Sequence, residues 1–598
     1  MPTVVYDIET DGLYEEATKV HCIALKVDDG PTQLFTDIDK AVEILNSADL
    51  TVAHNGINFD IPTLEKLGYN LTSPTRDTLI MSRLAHPNIS ITDANRKTIP
   101  PKLKGSHSLK AWGYRLRKLK GDFGETSDWK TYSDEMGEYC KLDVDVTYAL
   151  YNKLLGRNIP EEAIWIEQEF ARIISRQEKH GVYFNIKAAE QMHIDLINEV
   201  DIAEAELFKT FTPLQTWTPK PYPKVAYKQN GEKSQVLINQ EKLGCHYNDH
   251  GEWGYYKEVH FNPSSRQHIA RWLSEVYGWK PKDHTEKGTP MINEKVLEAL
   301  DFPEGKLLAH YFNVVKLKGQ LADGKNAWMK MVGSGDRIRG RVNTLGAVSR
   351  RCTHSNPNMA QVPSPRSYMG KEARQLFTVP RGKKLVGADL SGLELRVFAH
   401  YLARYDGGAY ADVILNGDIH TYNQKAAGLE TRDMAKTFIY GVLYGAGDAK
   451  VGEIVGGTAE AGRQLKERFF RSVPAYKRLL DAVGTAYKQN GFLKALDGNP
   501  YHIRSAHSAL NTLLQGAGAL IAKQWVIEID KELNRKYANR YEFILQVHDE
   551  VELEVDADIA EDVARICEAS SLKAGEVLKI RMPVHSEGKV GDTWYDVH

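Results

Sequence analysis

At 598 residues the chain is too long for one hydrophobic core and should divide into roughly three to five units. With 42% hydrophobic and 26% charged residues it is neither disordered nor fibrous, and no apolar run is long enough to span a bilayer. Its 77 basic and 79 acidic residues give a formal charge of -2, which as an average argues against a polyanionic partner.

The start, MPTVVYDIET, enters a strand directly and lacks the basic and apolar regions of a secretory signal, so the protein is expected to stay in the cytoplasm where it is made. The five cysteines (Cys22, Cys140, Cys245, Cys352, Cys567) are far apart in sequence, which argues against both a zinc module and a disulfide framework. Through residue 150, strand-like runs (TVVYDIE, VHCIALKV, LTVAHN) alternate with helical ones (DKAVEILNSA, FDIPTLEKLG, DEMGEYCKLDVDVTYALYNKLLG), an α/β pattern. Asp7 and Glu9, two apart on a strand, point to one face. Asp60 follows HNGINF at a tight turn, and Tyr139 and Asp143, four apart, share a helical face. Three elements thus each deliver carboxylate, hard oxygen donors suited to Mg²⁺ or Mn²⁺. Asp60 taken alone reads better as a solvated surface acid, and only the set weighs the other way. The set D-x-E, N-x-x-F-D and Y-x-x-x-D resembles the proofreading exonuclease of the DnaQ type over roughly residues 1–150. That resemblance implies a ribonuclease-H-like sheet on which Asp7, Glu9, Asp60 and Asp143 hold two metals and Tyr139 orients the attacking water.

From Ile159 to Phe211 the pattern is long and helical, and then TPLQTWTPKPYPKVAYKQNGEKSQ intervenes, whose prolines deny it a regular helix or a central strand. Helical patterning returns in SSRQHIARWLSEVYG and KLLAHYFNVVKLKGQLADGKNAWMKMV. Residues 305–388 carry 16 Lys and Arg against only Asp323, Asp336 and Glu372, so the neutral average conceals a candidate polyanion track.

A second mixed α/β region closes the chain. In KKLVGADLSGLELRVFAHYL a strand ends at Asp389 and an amphipathic helix begins soon after. In TRDMAKTFIYGVLYGAG, Arg432, Lys436, Tyr440 and Tyr444 lie four apart on one helical stripe, cationic then aromatic, which suits a triphosphate and a stacked base better than a core face. FILQVHDEVELEV reads as a hairpin with His548, Asp549 and Glu550 at its tip.

Those three runs, together with FNPSSR, GAVSRRCTH, NPNMAQVP, NGDIHT and NTLLQGAGALI, closely resemble family A DNA polymerases of the replicative type of short-tailed, T-seven-like bacteriophages, over nearly the full chain. The resemblance implies an α/β multidomain chain, an exonuclease followed by a right-hand polymerase: exonuclease 1–155, linker and thumb 156–345, palm 346–410 and 511–598, fingers 411–510. It implies that Asp389, Asp549 and the carbonyl of Leu390 hold two Mg²⁺, with Mn²⁺ as a substitute. Arg432, Lys436 and His420 would grip the phosphates, with Lys436 serving the leaving group. Tyr440 and Tyr444 would frame the base pair, and Tyr440, where a phenylalanine would discriminate, implies weak exclusion of dideoxynucleotides. Glu394 would exclude a ribose 2′-hydroxyl, disfavouring an RNA polymerase, and hydrogen-bond Tyr440. Arg351, Gln515 and His548 would meet the minor groove or primer end. Glu550 is a further carboxylate near the metals.

The implied activity is DNA-templated DNA synthesis with 3′-5′ proofreading, without the flap nuclease of repair polymerases, by a monomer in the cytoplasm of an infected bacterium. Primer-template DNA and dNTPs are the substrates, and a phage helicase-primase and single-strand binding protein are expected partners. The segment Leu207–Phe261 is short beside the insertion with which relatives recruit host thioredoxin, so dependence on a thioredoxin-like processivity factor does not follow. Two other readings are a nuclease whose polymerase half only grips DNA and a non-catalytic DNA-binding scaffold. Intact Asp389, Asp549, Arg432 and Lys436 count against both.

Overall fold

The computed structural model describes residues 2–118, 128–285 and 287–598, and these form two compact units. One comprises residues 1–184, 333–365 and 370–598; the other comprises 185–332 with 366–369.

The first unit begins with a five-stranded sheet, β1 (Thr3–Thr10), β2 (Val20–Val27), β3 (Gln33–Phe35), β4 (Leu50–Ala53) and β5 (Thr75–Asp77), in the order β3-β2-β1-β4-β5. β1 runs antiparallel to β2 and parallel to β4, and β4 is parallel to β5. Three short helices, α1 (Ile38–Asn46), α2 (Asp60–Lys66) and α3 (Thr78–Ala85), and the long α4 (Asp134–Leu155) accompany it. Ser133 caps α4, its hydroxyl accepting from the Met136 amide at 3.2 Å. The next helix, α5 (Glu161–His180), serves two cores. Ile164 packs with Ile57, Ile61, Met81, Leu150 and Leu154 of the N-terminal sheet domain. Ile166, Phe170, Ile173 and Ile174 pack with the C-terminal part of the same unit.

That C-terminal part is built on an antiparallel sheet of β6 (Lys383–Leu390), β7 (Tyr541–Val547), β8 (Glu550–Asp556) and β9 (Ser586–Gly591), ordered β7-β8-β6-β9. α6 (Leu393–Asp406), α7 (Arg432–Leu443) and α8 (Ala509–Tyr537) share its core. α8 buries residues on every side, as a helix enclosed by protein does. Its Lys523 donates to Glu167 of α5 at 2.6 Å and to the Thr344 carbonyl at 2.8 Å, with both charged side chains no more than 2% exposed. Replacing Lys523 by Met leaves Glu167 buried and unpaired, so a loss of about 3–5 kcal/mol is expected. Urea unfolding measures it, and the double change Glu167→Gln, Lys523→Met should recover part of the loss.

In the second unit, helices Ile186–Thr210 and Pro303–Lys318 share a core with Trp272, Phe261 and Tyr311. The proline-rich segment is more ordered than its composition suggests. Leu214–Pro219 is an edge strand on the central Trp253–Val259, with His246–Tyr247 beyond. Its proline-bearing edge position fits the missing amide hydrogens. The run predicted as helical after residue 306 also breaks: the helix ends at Lys318, and a π turn over Gly319–Asp323 follows.

Part of the basic stretch 305–388 is paired with carboxylates of the first unit. Arg337 pairs with Glu554 at 3.0 Å, Arg350 with Asp497 at 2.5 Å, Lys383 with Asp556 at 2.7 Å, Lys384 with Asp592 at 2.7 Å, and Arg341 with Glu178 at 3.3 Å. Carboxylates distant in sequence thus take up part of the charge of this stretch, and the remaining cations are those open to a polyanion.

Candidate active sites

The first site lies on β1. Glu9 pairs with Cys22 of β2 and Asp7 with Ala24, so both acids emerge on one face, toward α4. Asp60 opens α2 after a turn in which Asn55 has φ 68°. Gly56 is required there, since a Cβ would come within 2.6 Å of the Ala53 Cβ. Asp77, which the sequence reading missed, braces this turn: its carboxylate accepts from the amides of Asn55 at 3.0 Å and Ile57 at 3.2 Å. Its signal was the helix cap in TRDT, where Asp77 also accepts from Leu79. Asp60 is buried against the Ile8 amide, and burial, then Asp77 and Asp143, push its carboxyl up to about 7.

Among the described residues the tightest grouping of donor atoms is Asp7, Glu9 and Cys140, all within 4.8 Å of one another, rather than the four carboxylates alone. Cys140 follows Tyr139 on α4, and its thiol lies 3.4 Å from the Asp7 carbonyl and 3.8 Å from its Oδ2. Burial, then the Cys22 thiol and the acids, keep Cys140 protonated, so it acts as a donor that fixes Asp7. The cysteines are thus distant in sequence only: Cys22 and Cys140 are hydrogen-bonded neighbours. Tyr139 packs edge-on to Trp129 with centroids 6.2 Å apart.

The second site lies where β6 meets the β7–β8 hairpin. Asp389 pairs with Glu550, and the Leu390 amide donates to the Asp549 carbonyl at 3.0 Å, which brings the two aspartates to one sheet edge. The hairpin connection is His548-Asp549, with His548 at φ 59°. Burial, then Asp549, Glu550 and Glu394, raise Asp389 to about 7; burial, then Glu394, raise Asp549 to about 6. Carboxylates that oppose one another's ionisation in this way fit a divalent cation, whose charge removes the conflict. Glu550 is not at the hairpin tip as expected. It begins β8, nearly buried, accepting from Trp594 Nε1 at 2.7 Å and lying 3.1 Å from His598 Nδ1 and 3.5 Å from Arg374. These partners hold it ionised inside the sheet.

Beside the aspartates, α7 turns Ala435, Phe438, Ile439 and Val442 inward and leaves Arg432 and Lys436 exposed and Tyr440 half-buried. Tyr444 caps the helix and stacks with Tyr440, centroids 6.4 Å apart and planes 25° apart. Glu394, in the first turn of α6, accepts from the Tyr444 hydroxyl at 3.1 Å and pairs with Arg351 at 3.4 Å. The expected partner was Tyr440; the exposed Tyr444, one turn further on, reaches Glu394 instead.

Asp418, also missed, grips Arg432 with both carboxylate oxygens, at 2.7 and 3.2 Å, and caps the helix that carries His420. Lys436 makes no hydrogen bond or ion pair among the described residues, which leaves its ammonium available to a ligand. Burial, then Arg432 and Lys436, lower the His420 imidazole, so all three converge. Arg351, His548 and Asp549 line one small cavity. Gln515, half-buried on α8, joins none of these groups by a hydrogen bond among the described residues.

Comparison with known proteins matches both regions. Residues 246–596 match the model of DNA polymerase family A, and residues 1–157 match that of a 3′-5′ exonuclease. The chain is 35% identical to the DNA-directed DNA polymerase of Escherichia phage T7 and 34% identical to that of Enterobacteria phage T3, each over 100% of both chains. In fold it is similar to the POL domain of Pol1 from M. smegmatis, solved with DNA primer-template and dNTP. The TM-score is 0.74 at 17% identity, covering 100% of this chain and 96% of that one.

Proposed function

Because the chain belongs to DNA polymerase family A, we propose that its two carboxylate centres divide the copying of DNA and the correction of the copy. It is a DNA-directed DNA polymerase with a 3′-5′ exonuclease domain. The observation that carries the division of labour is the second site's meeting of Asp389 and Asp549 with an exposed Lys436 and a stacked Tyr440–Tyr444 pair. Mg²⁺, or Mn²⁺ in its place, would be held as a pair by Asp389, Asp549 and the Leu390 carbonyl, and as a second pair by Asp7, Glu9, Asp60 and Asp143. When bound, these ions supply a lowered pKa for the attacking hydroxyl or water and charge to stabilise the leaving oxygen.

In synthesis, Arg432, held by Asp418, and His420 take the triphosphate oxygens. Lys436 delivers a proton to the leaving pyrophosphate. Tyr440 and Tyr444 frame the nascent pair. Glu394, tied to Tyr444 and Arg351, fills the space of a ribose 2′-hydroxyl and so favours dNTPs. Arg351, Gln515 and His548 meet minor-groove acceptors common to all base pairs. In proofreading, Tyr139 orients the water that attacks the terminal phosphodiester.

The exonuclease then occupies 1–155, the linker and thumb 156–345, the palm 346–410 and 511–598, and the fingers 411–510. The chain works as a monomer on phage DNA in the cytoplasm of the infected host, beside a helicase-primase and a single-strand binding protein. No helix of the described residues is long and apolar enough to cross a membrane.

The test is a primer-template incubated with the full chain and Mg²⁺. With four dNTPs the primer lengthens; without them it shortens from its 3′ end; EDTA stops both. No extension overturns the polymerase reading, and rNTP incorporation as fast as dNTP incorporation overturns the role given to Glu394.

A further inference from the structure

A cavity of about 360 Å³ opens between the N-terminal sheet domain and the C-terminal part of the first unit, with no carboxylate of either centre in its lining. One wall carries Arg83 from the end of α3, with Ser90, Ser106 and His107; the other carries Arg350 and Arg504. Three guanidinium groups line it and not one carboxylate does. Asp497 and Asp77 lie just outside. Asp497 takes Nη1 of Arg350 at 2.5 Å, and Asp77 acts on Arg83 only through space.

Arg350 is 5% exposed, stands at φ 60° on the turn from Ala347, and leaves Nη2 buried without a hydrogen-bond partner. Neither Arg83 nor Arg504 has an ion pair or hydrogen bond among the described residues. Arg504 is exposed and Arg83 half-buried, so the demand rests on Arg350, whose half-satisfied buried guanidinium calls for an acceptor. His107, whose Nδ1 lies 2.9 Å from the Ser82 hydroxyl, adds a neutral imidazole, since burial and the nearby Arg83 and Arg115 lower it to about 3. The volume falls in the range of small-ligand sites, roughly 300–1,000 Å³. Planar guanidinium forks match phosphate oxygens in pairs.

We propose that this cavity binds the phosphate of a nucleotide, at a third site separate from synthesis and from proofreading. Two sources share that chemistry: a free mononucleotide, or a phosphodiester of single-stranded DNA.

The full chain is photolabelled with azido-dAMP in EDTA, which keeps nucleotide from being recruited through divalent ions at the carboxylate centres, and the labelled peptides are mapped. The expected label falls on peptides containing Arg83 to His107 or Asn343 to Arg350. It should be competed by inorganic phosphate and weakened about tenfold or more by Arg83→Gln with Arg504→Gln. The Arg83→Lys, Arg504→Lys pair, which keeps the charge but not the paired fork geometry, should retain part of it, more than the glutamine pair does. Competition by dAMP below the concentration needed for oligothymidylate assigns a mononucleotide, and the reverse order assigns a single strand. Should the glutamine pair fold poorly, protection of Arg83 and Arg504 from phenylglyoxal by phosphate in the unaltered chain reads the same site. Label confined to peptides bearing Asp7 or Asp389, label indifferent to the glutamine pair, or no protection overturns the proposal.

Discussion

Asp389→Asn should reduce primer extension by ~10³-fold or more while primer degradation without dNTPs stays within about twofold of the unaltered chain. The substitution keeps the size of the side chain at the end of β6 and the Asp389–Glu550 register, which is a backbone pairing. What it removes is a charge crowded by burial and by Asp549, Glu550 and Glu394. The folded carboxyl is raised from 3.8 to about 7, so its ionised form costs stability above that pH, and the cost disappears as pH falls toward 3.8. In EDTA at pH 8, Asn should therefore leave the unfolding midpoint unchanged or higher. Loss of synthesis with a retained midpoint marks a group that serves chemistry at the expense of the fold. Full extension by the variant would sink the assignment, and a lowered midpoint would show that Asp389 is structural.

The converse experiment is Asp7→Ala with Glu9→Ala, which should abolish degradation of a mispaired primer, by ~10³-fold or more, with correct extension intact. These acids and Cys140 keep their donor atoms within 4.8 Å, so removing two leaves no pair to hold an ion there. Removing two acids whose donor atoms lie within 4.8 Å of one another should again spare stability. Retained degradation would place the nuclease centre elsewhere, and lost extension would mean that the pair also supports the polymerase half.

Much of this was legible in the sequence because the chemistry is carried by short periodic patterns. Asp7 and Glu9 at strand spacing, and Arg432, Lys436 and Tyr440 at helical spacing, share faces by geometry alone. Tyr444 was placed on the same stripe but sits at the cap, so its reach to Glu394 depended on where α7 ended, which spacing does not determine. Cys140 and Asp418 were passed over for a different reason. Each acts on a residue brought near by folding, Asp7 across 133 positions and Arg432 across 14, and a thiol or a capping acid has a commonplace structural role when read alone. Glu550 shows the limit of adjacency: it follows Asp549 in the chain, yet it begins β8 and turns to Trp594 and His598, which spacing alone does not reveal. Charge counted along the chain is likewise incomplete, because Arg337 and Arg350 find Glu554 and Asp497 more than a hundred positions away.

Helix α5 bears on how this enzyme can be altered. Its Ile164 belongs to the core of the nuclease, its Phe170 to that of the polymerase, and Gln168 ties it to β5 through the Asp77 amide at 2.7 Å and the Thr75 carbonyl at 2.9 Å. Cutting the gene ahead of Glu161 would therefore leave the polymerase fragment with a stranded apolar and amide-bearing seam, and the nuclease fragment without its closing wall. Proofreading can be silenced by exchanging a few atoms at β1, but it cannot be cleanly excised; selection acting on error rate in such a chain would have point substitutions open to it and deletions largely closed.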